Sequence, residues 1–522
     1  MVNVYGIDLP LLLFAAVPIG TASLLIFLER LLSVSRMQKN LMHIIAFLGA
    51  FIDIVLAYLL CHIAFSPGGP TMPIRENVLI PLEADMVSLF FILIFTTVHF
   101  AVTIYCINFM VRFDELPRFY ALLLSVVAGL NLIVLVNDYF ALFVAWEAMV
   151  LCAYAMVGFY RDKEASEAGF KYLMMSSMGS VIVLYGVALL YGILGAVDFA
   201  TIGSSAQTNN LLLTIAIIVI ILGFGITAAM FFLNTWLPDA HPAAPPPAHA
   251  MLSGIIVIGG TYGILRTLML VAPLDLITFV NPGDNLGNWN YLLIFIGIFT
   301  SLQGNLFAII QLVRTDPKGK NLKRILAFST ISHMGYLIVG LGAGNLLGLA
   351  GTLFHALNHA LAKGILFMIT GFLIVSTGTY YLDFYKGLGR RDPLIGTCLV
   401  IGFGSLASIP LTSGFWSKLQ LVLALFDENL GVIGIIAGIL MLVFTFFAAV
   451  GYLWIIKFIV FDKSDQEQKY IDGFDKYSKN WRYSWSMKTA IVFLTIITVI
   501  AGLFPGPFID LAISAASFLL PA

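Results

Sequence analysis

The stretch Ser405-Leu-Ala-Ser-Ile-Pro410-Leu-Thr-Ser-Gly414-Phe-Trp-Ser-Lys418-Leu-Gln-Leu-Val-Leu-Ala-Leu-Phe426 decides how this chain is read. It belongs to a run long enough to cross a bilayer, which takes about 20 apolar residues. Pro410 and Gly414 interrupt the run near its middle, and Lys418 follows with no charged neighbour for many residues on either side. Interrupted helices at membrane depth survive only where protein or a water-filled cavity satisfies the freed backbone. A lysine at that depth costs roughly 3 kcal/mol on insertion scales, so it marks a function by default. The bland alternative is a lysine that snorkels to the interface. About eight residues, nearly all apolar, follow it. They amount to roughly 12 Å of helix, which argues against snorkelling.

Composition agrees with a membrane setting. Of 522 residues, 60% are hydrophobic and only 11% charged, whereas about a quarter of a soluble protein is charged. The chain reads as an all-α polytopic membrane protein whose surroundings are the lipid bilayer. A net charge of −1 without a basic patch and interleaved aromatics speaks against nucleic acid as a partner. Cys61, Cys106, Cys152 and Cys398 each sit inside an apolar run without CxxC or Cys/His spacing. Disulfides, zinc and iron–sulfur clusters are therefore not expected. The first apolar segment lacks a basic start and a small-residue cleavage site, so it reads as the first span rather than a signal peptide.

Apolar windows predict fourteen spans, near 9–33, 41–65, 86–111, 117–136, 138–160, 168–194, 211–235, 247–271, 289–313, 325–345, 348–376, 394–426, 432–461 and 488–519. Residues 66–85, with Pro67-Gly-Gly-Pro70, read as an extended hairpin or lid. Residues 462–487 are rich in charges and aromatics (Phe474, Tyr477, Trp481, Tyr483, Trp485) and read as a segment lying at the interface. Lysines and arginines test the topology. Loops after odd-numbered spans, with the span ends that flank them, hold 23 of the 27; only Arg75 and Arg266 lie opposite, and Lys363 and Lys418 are deep inside spans. The positive-inside rule then makes the basic side cytoplasmic and places both termini outside.

Besides the span of Lys418, three spans carry ionisable groups that point to proton chemistry. Glu147 is the only one in the apolar interior of its span, 138–160. A carboxylate held between desolvation and a nearby cation can change protonation when the neighbour moves. Its competing reading is a static ion pair. In the span 348–376, His355, His359 and Lys363 recur at four and four, which puts them on one helical face about 6 Å apart along the axis. Protons could pass along such a row through intervening waters, and histidine suits that role. The His-x₃-His pair could instead bind metal, but no convincing third ligand accompanies it and none is expected. His333 adds a titratable group near the start of the span 325–345. The competing reading for any one histidine is a hydrogen-bonded core residue.

The segment Trp236-Leu-Pro-Asp239-Ala-His241-Pro-Ala-Ala-Pro-Pro-Pro-Ala-His249 carries four prolines within 242–247, which cannot continue a helix. It predicts a rigid turn, with Asp239 and His241 toward the aqueous end of a path and His249 entering the next span. A proline-rich turn with caps is the structural alternative. No phosphate loop, nucleotide fingerprint, haem pair or catalytic triad is present. The chain brings no cofactor of its own, and energy for uphill transport must come from an ion gradient or a partner.

These residues resemble the antiporter-like membrane subunits shared by respiratory complex I, Mrp-type cation/proton antiporters, and membrane-bound hydrogenase-type complexes. The matching stretches are Trp146-Glu147, Trp236-Leu-Pro-Asp-Ala-His241, Asn321 to Gly335, His359-x₃-Lys363 and the Pro410-to-Lys418 break. The resemblance implies fourteen helices with two inverted five-helix repeats, spans 4–8 (117–271) and 9–13 (289–461). These are flanked by an N-terminal three-helix segment (1–111) and a last segment (462–522). Helices 7 and 12 would be a broken, symmetry-related pair. It further implies a subunit of a multisubunit energy-converting complex that translocates protons or sodium, with proton transfer through Glu147, His333, His359, Lys363 and Lys418. The partners would be other membrane subunits, homologous or small, with peripheral redox subunits, in the plasma membrane of a prokaryote. Two positions depart from the family pattern. Where a lysine usually stands nine residues before the Trp of Trp-Leu-Pro, this chain has Thr227, and residues 253–258 carry no charge. Glu147 thus lacks its usual partner, with another subunit, waters or His249 as replacements. An Mrp-type antiporter subunit without a redox partner and a structural adaptor with a degenerate N-terminal half are the alternative readings.

Overall fold

The computed structural model describes residues 2–4, 7–31, 36–66, 73–77, 80–205, 211–271, 288–314, 320–464 and 467–519. Nearly all of them are helical. A hairpin of β1 (Val2–Val4) and β2 (Ile7–Leu9) precedes α1 (Leu13–Leu31), so the first helix starts later than the apolar window suggests. There follow α2 (Arg36–Ala64), the antiparallel hairpin of β3 (Ile74–Asn77) and β4 (Pro81–Ala84), α3 (Met86–Phe109), α4 (Leu116–Leu135), α5 (Tyr139–Val157) and α6 (Lys163–Leu194). The expected lid at Pro67 to Pro70 lies outside the described residues. Next come α7 (Phe199–Ser205), α8 (Leu211–Thr227), α9 (Leu237–Ala243), α10 (Pro246–Met251), a π turn over Leu252–Ile256, α11 (Val257–Val271) and α12 (Asn288–Val313). The chain continues with α13 (Leu322–Ala343), α14 (Leu346–Thr377), α15 (Pro393–Leu406), α16 (Ser413–Leu425), α17 (Gly431–Ile456), α18 (Gln468–Lys479), α19 (Trp481–Leu503) and α20 (Gly506–Ser517).

Local chemistry sets the helix ends. Asp85, Asp138, Asp162, Asn321, Asn345 and Asp392 each cap a helix by accepting from a backbone N–H of its first turn. Pro245, Pro246 and Pro247 sit at the start of α10, where absent N–H groups leave no bond unmade. Pro505 follows the end of α19, so the stretch expected as one span over 488–519 is two helices. Proline has no N–H to continue the ladder and disfavours helical geometry before it.

Among the described residues, twelve helical stretches are long and apolar enough to cross a membrane. The expected spans at 211–235 and 394–426 are not among them, because their helices stop at Thr227 and Leu406. The stretches Pro246–Leu268 and Leu322–Ala343 are buried throughout, and α3 and α14 nearly so. Around them, α6 and α17 turn large apolar side chains outward, such as Phe170, Val181, Val432 and Phe446, as lipid-facing helices do.

Both interruptions have the same backbone. After α8, Ala228, Ala229 and Met230 donate to the carbonyls of Phe224, Ile226 and Gly225. After α15, Ala407, Ser408 and Ile409 donate to Phe403, Ser405 and Gly404. Positive φ falls on Ala229 and Phe232 in one, and on Ser408 and Leu411 in the other. Every such position is 179 residues from its counterpart (228 to 407, 229 to 408, 230 to 409, 232 to 411). Residues other than glycine in this region cost about 1–3 kcal/mol each, so surrounding packing must hold both breaks. A second set of matches is spaced by 183. Caps Asp138 and Asn321, positive-φ Arg161 and Gly344, and positive-φ Gly195 and Gly378 pair in this way. So do the bridges Asp138–Asp198 and Asn321–Tyr381. The helices α6 and α14 are each 32 residues long.

Candidate functional site

The break between α15 and α16 is closed around Asn358 of α14. Its Oδ1 accepts from the hydroxyls of Ser405 (2.5 Å) and Ser413 (2.8 Å), one on each half-helix. Gly414 lets the two halves approach, since a Cβ there would lie 1.8 Å from the Ser405 carbonyl oxygen. Lys418, one turn further on, turns back toward the break. Its Nζ donates to the Leu406 carbonyl at 3.0 Å and lies 4.7 Å from the centre of the Tyr336 ring. Only 4% of Lys418 is exposed, which rules out a snorkelling lysine within this chain.

The expected row on α14 is fully buried. His355 Nδ1 is 3.0 Å from Ser417 Oγ, beside Lys418, and its Nε2 is 3.0 Å from His333 Nδ1. The His333 and His355 rings stack, 5.1 Å apart, and His359 is 5.3 Å from His333. His359 Nε2 donates to the Ser253 carbonyl at 3.0 Å. That carbonyl lies in the π turn, where the helical ladder is disturbed. Lys363 Nζ donates to Ser329 Oγ (2.7 Å) and the Leu326 carbonyl (2.9 Å). Ser329 Oγ in turn lies 2.5 Å from Tyr452 OH. Among the described residues, the nitrogens His333 Nε2 and His359 Nδ1 have no hydrogen-bond partner. Buried lysine and histidine bases this close together can bind and hold protons and pass them directly or through a water.

Between the row and the basic face lies the proline-rich segment. Asp239 is at the rim of a cavity of about 340 Å³ with Lys171, Arg324 and Glu164. It pairs with Lys171 and, at 3.5 Å, with Arg324. His241 is fully buried, so it does not stand at the aqueous end with Asp239. The sequence could not place it, because Pro242 lies inside α9 rather than ending the helix before His241. His241 and His249 are 5.8 Å apart, and both pack on Phe367, one turn from Lys363. None of their four ring nitrogens is hydrogen-bonded. Lys323, counted among the loop cations from sequence, is buried and donates to the Pro242 and Ala244 carbonyls.

The N-terminal half is sparser. Glu147 is partly buried, and its Oε1 has no hydrogen-bond partner. Thr227 is buried at the last residue of α8, against Gly260. Sequence reading missed Asn358, Ser329, Ser417, Tyr336 and Tyr452, since nothing local marks a serine or tyrosine as a partner of a lysine more than 30 positions away. Lys323 stood in view but was assigned to a loop.

Fold and row together define an antiporter-like membrane subunit. The chain belongs to the family described as NADH:quinone oxidoreductase/Mrp antiporter, whose transmembrane model matches residues 136–445. It is 30% identical over 414 residues to NADH-quinone oxidoreductase subunit N of Heliobacterium modesticaldum, covering 78% of this chain and 80% of that one. A chain of the membrane-bound sulfane sulfur reductase, an archaeal respiratory membrane complex, superposes with a TM-score of 0.81 at 27% identity, covering 98% and 97%. A chain of the Mrp complex from Dietzia shares the fold, with a TM-score of 0.82 at 22% identity over 98% and 97%.

Proposed function

We propose that this chain carries protons across the membrane as one subunit of a multisubunit energy-converting complex, along the buried axis from Asp239 through His241, His249, Lys363, His359, His333 and His355 to Lys418. The observation that carries it is the buried series of nitrogen bases, with His333 bonded to His355 and His355 to Ser417 beside Lys418, that ends on the half-helix following the Ser405–Gly414 break. Protons suit this row better than sodium. Sodium seeks several oxygen ligands, whereas lysines repel it.

The matched breaks and the 183-residue spacing support two repeats, 117–271 and 289–461, each of five crossings. In this reading α8 and its continuation, and α15 with α16, complete fourteen crossings. An odd number of crossings per repeat makes the two inverted, and both termini face outward from a prokaryotic plasma membrane. The partners are neighbouring membrane subunits, with peripheral redox subunits supplying the energy. Glu147, part-buried and with its Oε1 lacking a partner among the described residues, suits a boundary with such a neighbour. Thr227 in place of the usual lysine favours a second reading, in which the N-terminal half serves only as an adaptor.

Proton uptake by membrane vesicles containing the assembled complex tests both. The Lys418→Ala variant is expected to assemble and lose proton translocation, and undiminished translocation overturns the proposal. The Glu147→Gln variant separates the readings: reduced uptake supports a working N-terminal half, and unchanged uptake supports the adaptor.

A further inference from the structure

A second buried titratable cluster lies apart from this row, in helices that precede the matched residues 136–445. Asp53 of α2 and His99 of α3 face each other, with Asp53 Oδ2 3.9 Å from His99 Nδ1. Asn131 of α4 completes the group. Its amide donates to the Phe14 carbonyl at 3.0 Å and reaches Asp53 Oδ1 at 3.5 Å. All three side chains are 0% exposed. Among the described residues, Asp53 Oδ2, Asn131 Oδ1 and both ring nitrogens of His99 have no hydrogen-bond partner. A cluster kept only to pin three helices is expected to satisfy its polar atoms, because each buried open one costs about 1–3 kcal/mol. This one leaves a carboxylate oxygen and an imidazole open toward each other.

Polar groups lead from the cluster to the basic face. Thr103, one turn from His99 on α3, is buried with its Oγ1 unpartnered. On α2, Ala46 and Ala50 lie between His43 and Asp53 on one helical face. His43 is roughly 15 Å of helix from Asp53. Its Nδ1 is 2.7 Å from Tyr120 OH, and its Nε2 is open. His43 also lines a cavity of about 440 Å³ at the basic face, with Lys39, Asn108, Arg112 and Tyr477. Of the charged groups on the packed elements, Glu29 pairs with Arg118, Lys39 with Asp114, Arg266 with Asp85 and Lys488 with Asp392, while Arg30 and Asp510 are exposed.

We propose that Asp53 and His99 form a second proton-binding site in the N-terminal three-helix segment, reached from the basic-face cavity past His43 and Tyr120. An imidazole beside the carboxylate suits a proton better than a metal cation, which would meet only two open oxygens. What the bound proton does rests on the reading of the chain as a proton carrier, but its binding does not.

Infrared difference spectra of the purified complex, taken between acid and alkaline pH, test the site without any transport. The wild type is expected to show a titrating carboxyl band that is lost in Asp53→Asn and returns, shifted, in Asp53→Glu. His99→Gln is expected to move the pH at which it titrates. Identical spectra for wild type and Asp53→Asn overturn the proposal. In vesicles, Asp53→Asn is expected to lower proton uptake, and uptake at the wild-type level overturns the path. A Lys418→Ala complex that still translocates would sink the carrier reading alone and leave the infrared result to decide the site.

Discussion

The Lys418 ammonium binds the carbonyl of Leu406, twelve residues earlier, at 3.0 Å. Leu406 is the last residue of α15, so the charge reaches back across the break to a carbonyl that the interrupted helix leaves open. By the 179-residue correspondence of the two breaks, Leu406 matches Thr227 and Lys418 matches Asp239. Thr227, where the sequence resemblance leads one to expect a lysine, thus corresponds to the residue whose carbonyl Lys418 holds.

Replacing Lys418 by methionine keeps most of its volume and removes the proton-binding group. Proton translocation is expected to fall by at least about tenfold, at the lower edge of what a positioned proton donor contributes. The melting temperature of the purified complex is expected to stay within a few degrees of wild type, since volume-conserving swaps cost under about 1.5 kcal/mol. Proton uptake and a thermal melt on one preparation check both.

Tyr452 holds Ser329, and Ser329 holds Lys363. Tyr452→Phe removes one hydroxyl and leaves the ring, so a loss of about 1 kcal/mol is expected. Ser329→Ala takes a direct acceptor from a buried amine and is expected to cost about 1–3 kcal/mol. If translocation slows in step with this order, the chain Tyr452–Ser329–Lys363 belongs to the path. Equal rates in all three proteins would remove it.

Gly414→Ala is expected to impair assembly, because its Cβ would sit 1.8 Å from backbone oxygen on the other half-helix. Overpacking of this kind costs about 1–3 kcal/mol or more. Gly192 in α6 has nothing within 4 Å of its Cβ position, and Gly192→Ala is expected to be neutral or mildly stabilising. Yield and melting temperature of the two variants make the comparison.

Asn358→Leu strips the acceptor from two buried hydroxyls at once. Destabilisation of about 2 kcal/mol or more is expected, with the break losing its fixed shape. Asn358→Asp keeps an acceptor and is expected to hold the break better. A leucine variant as stable as wild type would show that the hydroxyls find other partners.

Much was legible in the chain itself. Hydropathy is a local property, so a run of apolar residues reveals a helix at membrane depth without any knowledge of its neighbours. The four-and-four spacing of His355, His359 and Lys363 fixes one face by helix geometry alone. The isolation of Lys418 within an apolar run exposes it for the same reason. Asp53, the only carboxylate in the span 41–65, and His99, the only histidine or charged residue in the span 86–111, obey that rule too, and a stricter application would have marked them.

Tertiary structure decided what those faces meet. His333 joins His355 across 22 residues, and Asn358 joins Ser405 and Ser413 across 47 and 55. Which of several serines lies beside a lysine depends on helix rotation and packing, which no local pattern encodes. The prolines hid His241 and Lys323 in a similar way. At a helix start, proline costs no hydrogen bond, so a segment that reads as an exposed turn folds inward and buries both. The sequence by itself determined which groups are too costly to bury without a role. Packing between helices decided which of them lie close, because a proton moves between groups held within hydrogen-bond reach, directly or through a water.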